Sequence, residues 1–278
     1  VPQKSGRARR HRSLTRLVPT IIRSGAAPLE GPELVSDLVY RFKADTECFT
    51  DLAGSILALD GEFVRAIGDK SGNLSTIPTV LGDGGRPIFR ASGINALPSL
   101  EYDGINDSFS ILGASATPFE VDRLDPFSMF FIVNASANSY GLFTKITGNT
   151  GYEMRVLGGR IRVRLASSGF GSIIKDTATT PVTNDVDHVI LITYDGSGAA
   201  SGFNAYIDST TAESFQAPIF DNLTGTTISA GNFNIGNIAT SFINGDMPEH
   251  SFHDKEFTAG DISILTDYAN TEYGITIS

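Results

Sequence analysis

Val64-Arg65-Ala66-Ile67-Gly68-Asp69-Lys70-Ser71-Gly72-Asn73, followed by Arg86-Pro87 and by Leu97-Pro98-Ser99-Leu100-Glu101-Tyr102-Asp103-Gly104-Ile105-Asn106-Asp107, is the stretch that decides the fold. It reads as a turn rich in Asp, Ser, Gly and Asn, then a strand, then a second tight turn at Asp103-Gly104. The same alternation of short strand and turn continues outward in both directions. Phe127-Ser128-Met129-Phe130-Phe131-Ile132-Val133 is a continuous apolar run, which predicts a strand covered on both faces. Glu153 to Leu165 reads as a hairpin: Met154 and Val156 alternate with polar residues, Gly158-Gly159 turns, and Ile161, Val163 and Leu165 resume the alternation. Pairing across that turn sets Val156 opposite Ile161 and Met154 opposite Val163 on the buried face. Thr258 is placed to cap a helix with Ile262, Leu265 and Tyr268-Ala269 on one side. With 29 Gly, 12 Pro and 18 Phe in 278 residues, the chain has turn chemistry throughout and ample material for one large core.

Leu38-Val39-Tyr40-Arg41-Phe42-Lys43-Ala44-Asp45 fits an opening strand. His188-Val189 with Thr193-Tyr194-Asp195-Gly196, Phe203 to Asp208, Phe233 to Asn237 and Gly245 to Phe252 fit later ones. Taken with the opening stretch, this pattern resembles the laminin-G-like, concanavalin A-like jelly-roll domains of phage structural proteins and bacterial surface proteins. The resemblance covers about residues 33–278. It implies an all-β antiparallel jelly-roll sandwich with a short C-terminal helix near Tyr268 and a final strand near Ile275, while residues 1–32, basic and interrupted by Pro2 and Pro19, read as an extended N-terminal arm. Two departures are plain: Ser209 stands where that family usually has Gly, and the chain contains no Trp to serve as a sugar-stacking platform.

Charge is divided sharply. Lys4, Arg7, Arg9, Arg10, Arg12, Arg16 and Arg23 give residues 1–23 seven positive charges and no acid; removing them from the net charge of −10 leaves −17 on the remainder. Such asymmetry speaks about partners. Leu17, Val18, Ile21 and Ile22 lie among the basic residues and suit protein docking, whereas the absence of aromatics before Tyr40 disfavours nucleic acid. The expectation is a non-enzymatic virion protein present in many copies, a decoration, head-fibre or tail-associated component held to a capsid or tail protein by this arm. A lone Cys48, no apolar run long enough for a bilayer and no leader-like start agree with it. The alternative is a glycan-binding adhesin with a rim pocket drawn from Tyr140, Tyr152 and Tyr194.

Three candidate chemistries follow. Glu120-Val121-Asp122-Arg123-Leu124-Asp125 resembles the paired-carboxylate strand of retaining glucanases of this fold, but Pro126 favours a solvated loop. Asp69, Ser71 and Asn73, or Asp103, Asn106 and Asp107, offer oxygen ligands for calcium, and equally form ordinary Asx turns. His11, His188, His250 and His253 have no zinc spacing. Finally, the hairpin register puts Arg155 opposite Arg162 with Arg160 and Arg164 beside them. Like charges so placed repel. They call either for acids on a neighbouring strand or for an acidic partner, a second subunit or an anionic glycan.

Overall fold

The apolar run at 127–133 forms the middle of a sheet with both faces covered. The computed structural model describes residues 30–74, 77–78 and 85–278. Its strands are β1 (Leu38–Lys43), β2 (Cys48–Phe49), β3 (Ala66–Ile67), β4 (Ile77–Pro78), β5 (Ile88–Arg90), β6 (Ser99–Asp103) and β7 (Phe109–Ile111). The longer strands follow as β8 (Phe127–Ala135), β9 (Ser139–Thr147), β10 (Thr150–Leu157), β11 (Arg160–Ala166), β12 (Ser172–Asp176) and β13 (Asp187–Tyr194). After them come β14 (Phe203–Ile207), β15 (Phe220–Asp221), β16 (Phe233–Ile235), β17 (Asn237–Ile238), β18 (Ser241–Phe242), β19 (Asn244–His253) and helix α1 (Ala259–Tyr273).

Two seven-stranded antiparallel sheets make the sandwich. The first runs β14-β13-β8-β19-β6-β5, with β1 also paired to β19; the second runs β15-β12-β11-β10-β9-β16-β7. Alternation along β8 and β13 assigns each side chain to a layer. Phe127, Met129, Phe131, Val133, Ile190 and Ile192 enter the core between the sheets. Phe130, Ile132, Val189 and Leu191 face the other way, into a second apolar cluster with Ile262, Leu265 and Ala269 of α1. Each such side chain, fully buried, stabilises the fold by about 1.5–3 kcal/mol. The hairpin register is the expected one: Val156 faces Ile161, Met154 faces Val163 and Arg155 faces Arg162.

Helix α1 starts where Thr258 and Asp261 form a reciprocal capping box and stops at Gly274, whose φ of 68° ends it in the left-handed region. It spans 15 residues and is the short C-terminal helix that the resemblance implies. The final strand implied near Ile275 is not formed. Residues 274–278 carry no strand pairing, and Ser278 N donates to Asp208 O at 2.7 Å. Glu30 to Pro32, which composition assigns to the arm, are bound to the body: Glu30 pairs with Lys43 at 2.8 Å, and Gly31 lies against the Tyr268 ring.

A network of charges fastens these layers. Arg41 on β1, 1% exposed, donates from Nε to Glu249 Oε1 on β19 at 2.7 Å and pairs with Glu33 at 2.8 Å. Tyr268 and Tyr273 of α1 each donate to the other oxygen of Glu249 at 2.7 Å. Burial pushes the Glu249 carboxyl up, and Arg41 and the two tyrosine hydroxyls pull it back.

Candidate functional site: a polar cleft on the outer sheet

On the second sheet, alternation sends Tyr152, Met154 and Val156 inward and Glu153 and Arg155 outward. One transverse row then crosses five strands: Ser110 of β7, Asn234 of β16, Thr144 of β9, Glu153 of β10 and Arg164 of β11. The outer face of such a sheet commonly meets water. Yet Ser110, Thr144 and Glu153 are only 3%, 3% and 5% exposed. The β17–β18 hairpin covers them.

A bulge makes room for that hairpin. The β9–β10 register shifts between Met154 and Arg155, so that Arg155 faces Gly141. A Cβ built on Gly141 would lie 2.3 Å from the carbonyl carbon of Asn237, so the hairpin rests directly on bare backbone. Gly236 N donates to Leu142 O at 3.0 Å and ties its base to β9. At its tip Ala239 holds a φ of 53°, a conformation L residues rarely adopt. Gly141→Ala is therefore expected to lift the hairpin and destabilise the fold by about 1–3 kcal/mol, measured by urea denaturation. An unchanged midpoint would show that the hairpin yields freely.

Hairpin, row and the Gly148-Asn149 turn enclose a cleft of about 540 Å³. Arg155 and Arg164 share one carboxylate, Glu153: Arg155 Nε lies 3.0 Å from Oε1 and Arg164 Nη1 3.4 Å from Oε2. Arg164 Nη2 also reaches Asn149 Oδ1 at 3.3 Å. Nε of Arg164 and Oδ1 of Asn237 are buried without a hydrogen-bond partner. Unsatisfied buried donors and acceptors are costly, and both residues line the cleft.

The arginine stripe thus resolves unequally. Arg162 makes a bidentate pair with Asp176, two bonds of 2.7 Å, which keeps it firmly charged. Arg160 donates to the carbonyls of Thr177 and Ala178 at 2.7 and 2.6 Å. Acids of the same sheet answer Arg162, through Asp176, while Arg155 and Arg164 share the single carboxylate of Glu153.

Other candidates fall elsewhere. The tyrosine rim is a correction: Tyr140, Tyr152 and Tyr194 are 1%, 1% and 0% exposed and belong to the core. The Tyr152 hydroxyl donates to Phe119 O, and that of Tyr194 to Arg123 O. Glu120 and Asp122 lie in a turn, as Pro126 suggests, and form no carboxylate strand. Glu120 stands 3.7 Å from Lys145, while Asp122 Oδ1 accepts from Thr227 N and Arg123 N. The Asp69 carboxylate accepts from the backbone N–H of Arg41, Ser71, Asn73 and Leu74 and from the Ser71 hydroxyl, so donors surround it. Asn73 itself donates to Leu38 O. Asp103 caps its own turn through Ile105 N and Asn106 N, and Asp107 accepts from Asp103 N. Burial pushes the Asp107 carboxyl up to about 6. Among the described residues no three His, Cys, Asp or Glu side chains gather as a metal site. The arm residues Lys4, Arg7, Arg9, Arg10, Arg12, Arg16, Leu17, Val18, Ile21, Ile22 and Arg23 lie outside the described residues.

A hydroxyl–imidazole–carboxylate line that sequence reasoning missed joins Thr183, His188 and Asp208. Nε2 of His188 is 3.3 Å from Thr183 Oγ1, and Nδ1 is 2.6 Å from Asp208 Oδ2. Thr183 N–H also donates to Nε2 at 3.0 Å, which occupies the lone pair a general base needs. The line fixes a turn.

Comparison with protein-family models and with curated proteins gives no match. Solved structures do match. The binding domain of botulinum neurotoxin serotype G superposes with a TM-score of 0.56 at 16% identity, over 84% of this chain and 51% of that one. The binding domain of Paraclostridial Mosquitocidal Protein 1 gives 0.58 at 12% identity, over 84% and 53%. A Trypanosoma rangeli sialidase in complex with 2,3-difluoro-KDN gives 0.53 at 11%, over 86% and 33%. The chain spans about half the length of the two binding domains or less of the sialidase. At these identities the likeness shows the fold: an antiparallel β-sandwich of the architecture that toxin binding domains share.

Proposed function

We propose that this chain is a receptor-binding module whose cleft on the second sheet takes a saccharide bearing a carboxylate or sulfate. One observation carries the reading. Polar side chains line a cleft beside a hairpin, with an unpartnered buried acceptor, Oδ1, at Asn237 and an unpartnered buried donor, Nε, at Arg164. Sugar hydroxyls donate and accept at once and suit such a mixed set. Two guanidiniums sharing one carboxylate leave a positive excess in a body that is otherwise acidic. An anionic group completes that set. The fold supports the reading in kind, because the superposed structures include toxin binding domains and a sialidase.

Binding here involves no turnover. The virion reading rests on the resemblance to jelly-roll domains of phage structural proteins and on the basic arm, and the matched structures add nothing to it. A module displayed on a particle would use the same cleft.

The test is retention on an array of neutral, carboxylated and sulfated oligosaccharides, comparing the native chain with Arg164→Gln. The substitution removes the cation and keeps the fold. It is expected to weaken binding to anionic glycans at least tenfold, about 1.4 kcal/mol, and to leave the unfolding midpoint within a few degrees. Equal retention of the two proteins, or no retention of the native chain, contradicts the proposal.

A further inference from the structure

The segment between β1 and β3 carries the opposite signature to the arm. From Asp45 to Phe63 there are five acids, Asp45, Glu47, Asp51, Asp60 and Glu62, and no Lys or Arg. In the same segment Leu52, Ile56, Leu57, Leu59 and Phe63 are each more than half exposed. Five large apolar side chains presented to water within twelve residues exceed the scattered singles of an ordinary surface. The segment is held in shape. Leu57 bridges Phe49, and Phe63 bridges Ile88 on β5, the edge strand of the first sheet. Asp51 accepts from Ser55 N and Ile56 N, Glu62 from Leu59 N, and Asp60 from Ala91 N. Those bonds come from neutral backbone donors and fix the positions of the three carboxylates, whereas Asp45 is paired with Lys70 at 2.8 Å.

We infer that this acidic, apolar surface is the docking site for the chain's own residues 4–23. That segment has seven basic residues, no acid, and the aliphatic set Leu17, Val18, Ile21 and Ile22. Charge and apolar content are therefore complementary on both counts. Reach agrees as well. Glu30 bonds Lys43 Nζ at 2.8 Å, two residues before the acidic stretch begins at Asp45. From Arg23 to Glu30 an extended chain spans up to about 25 Å. An anionic membrane is a poorer occupant, because the carboxylates of Asp51, Asp60 and Glu62 accompany the apolar side chains. Apolar contact would supply affinity, and the charges register and salt dependence. The inference is independent of the saccharide cleft on the second sheet.

Charge removal on the surface and charge reversal on the arm, each in the full chain, test it by amide hydrogen exchange over residues 51–63. Asp51→Asn/Asp60→Asn/Glu62→Gln, which keeps an oxygen acceptor for each backbone N–H, or Arg9→Glu/Arg12→Glu/Arg16→Glu/Arg23→Glu, is expected to speed exchange there about tenfold in low salt. Arg9→Lys/Arg12→Lys/Arg16→Lys/Arg23→Lys is expected to keep most of the protection. The native protection is expected to be the same at 5 and 200 μM protein and to fall with added salt. No change in either single set overturns the inference. Protection that appears only at the higher concentration also overturns it, since the occupant would then be a second copy. Unfolding midpoints of all variants are read alongside, and the surface positions chosen should leave them within a few degrees.

Discussion

Replacing Glu249 with alanine is expected to destabilise the protein by about 3–5 kcal/mol, a large part of the 5–15 kcal/mol by which a domain is usually stable. The reason is local. Arg41 is 1% exposed, and Glu249, 0% exposed, is its fully buried partner. Without Glu249 the guanidinium keeps Glu33 at 2.8 Å, a carboxylate 22% exposed, and the hydroxyls of Tyr268 and Tyr273 lose their acceptor. Glu249→Gln keeps one acceptor oxygen for the two tyrosines and loses the charge and the acceptor of Arg41 Nε, so it should cost less than alanine. Arg41→Met combined with Glu249→Leu should cost less than the sum of the two single changes, by about 1–3 kcal/mol, because the pair's desolvation penalty disappears with it. Urea titrations with a common slope read all five values. A Glu249→Ala cost below about 1 kcal/mol would mean that the helix is not fastened through this pair.

Acid should unfold the protein earlier than its surface carboxylates alone would require. His250 and His253 are both 0% exposed. His250 packs against the rings of Tyr40, Phe42 and Phe143, and burial pushes it down to about 3. His253 is pushed down to about 4, again chiefly by burial. A base whose folded pKa lies below its unfolded value favours the fold fully above that unfolded value, about 6.5, and loses the contribution as pH falls. Between pH 6.5 and 4.5 the two rings together then remove about 4–5 kcal/mol. Asp107 acts in the opposite sense. Its folded pKa is raised, to about 6, so it takes up a proton in the folded state first and restores about 2 kcal/mol over the same window. The net loss is about 3 kcal/mol, and Asp107→Asn should deepen it. Denaturant midpoints at pH 7 and pH 4.5 decide the matter. Equal midpoints would mean that both imidazoles reach solvent.

The sandwich and its register were legible because alternation on the two sides of Gly158-Gly159 agrees. A one-residue slip would have turned Met154, Val156, Ile161 and Val163 outward together. The double-sided burial of β8 followed from an apolar run with no polar face. The arginine stripe was legible for the same reason, and Asp176 as the partner of Arg162 was not, because it lies on a strand whose pairing the local pattern does not specify. The tyrosines are instructive. Tyr152 shares parity with Met154 and Val156, and Tyr194 with Ile190 and Ile192, so the pattern already pointed both inward. The cleft itself was hidden, since it is made by Asn237 to Phe242 folding over Gly141, and neither segment has a periodic signal. A glycine chosen for close approach looks like any turn glycine until the hairpin above it is seen. The Arg41–Glu249 pair, 208 positions apart in the chain, carries no local signature either.

The central claim concerns the buried row from Ser110 to Arg164 and the hairpin that roofs it. Its most direct test is a heteronuclear NMR titration of the native chain with a sialylated trisaccharide, a sulfated disaccharide and neutral lactose. The account predicts saturable shifts with at least one anionic probe, concentrated at the side-chain amides of Asn149, Asn234 and Asn237 and at Nε of Arg164, and weaker or absent with lactose. Shifts that map to another face, or none with either anionic sugar at millimolar concentration, would contradict it.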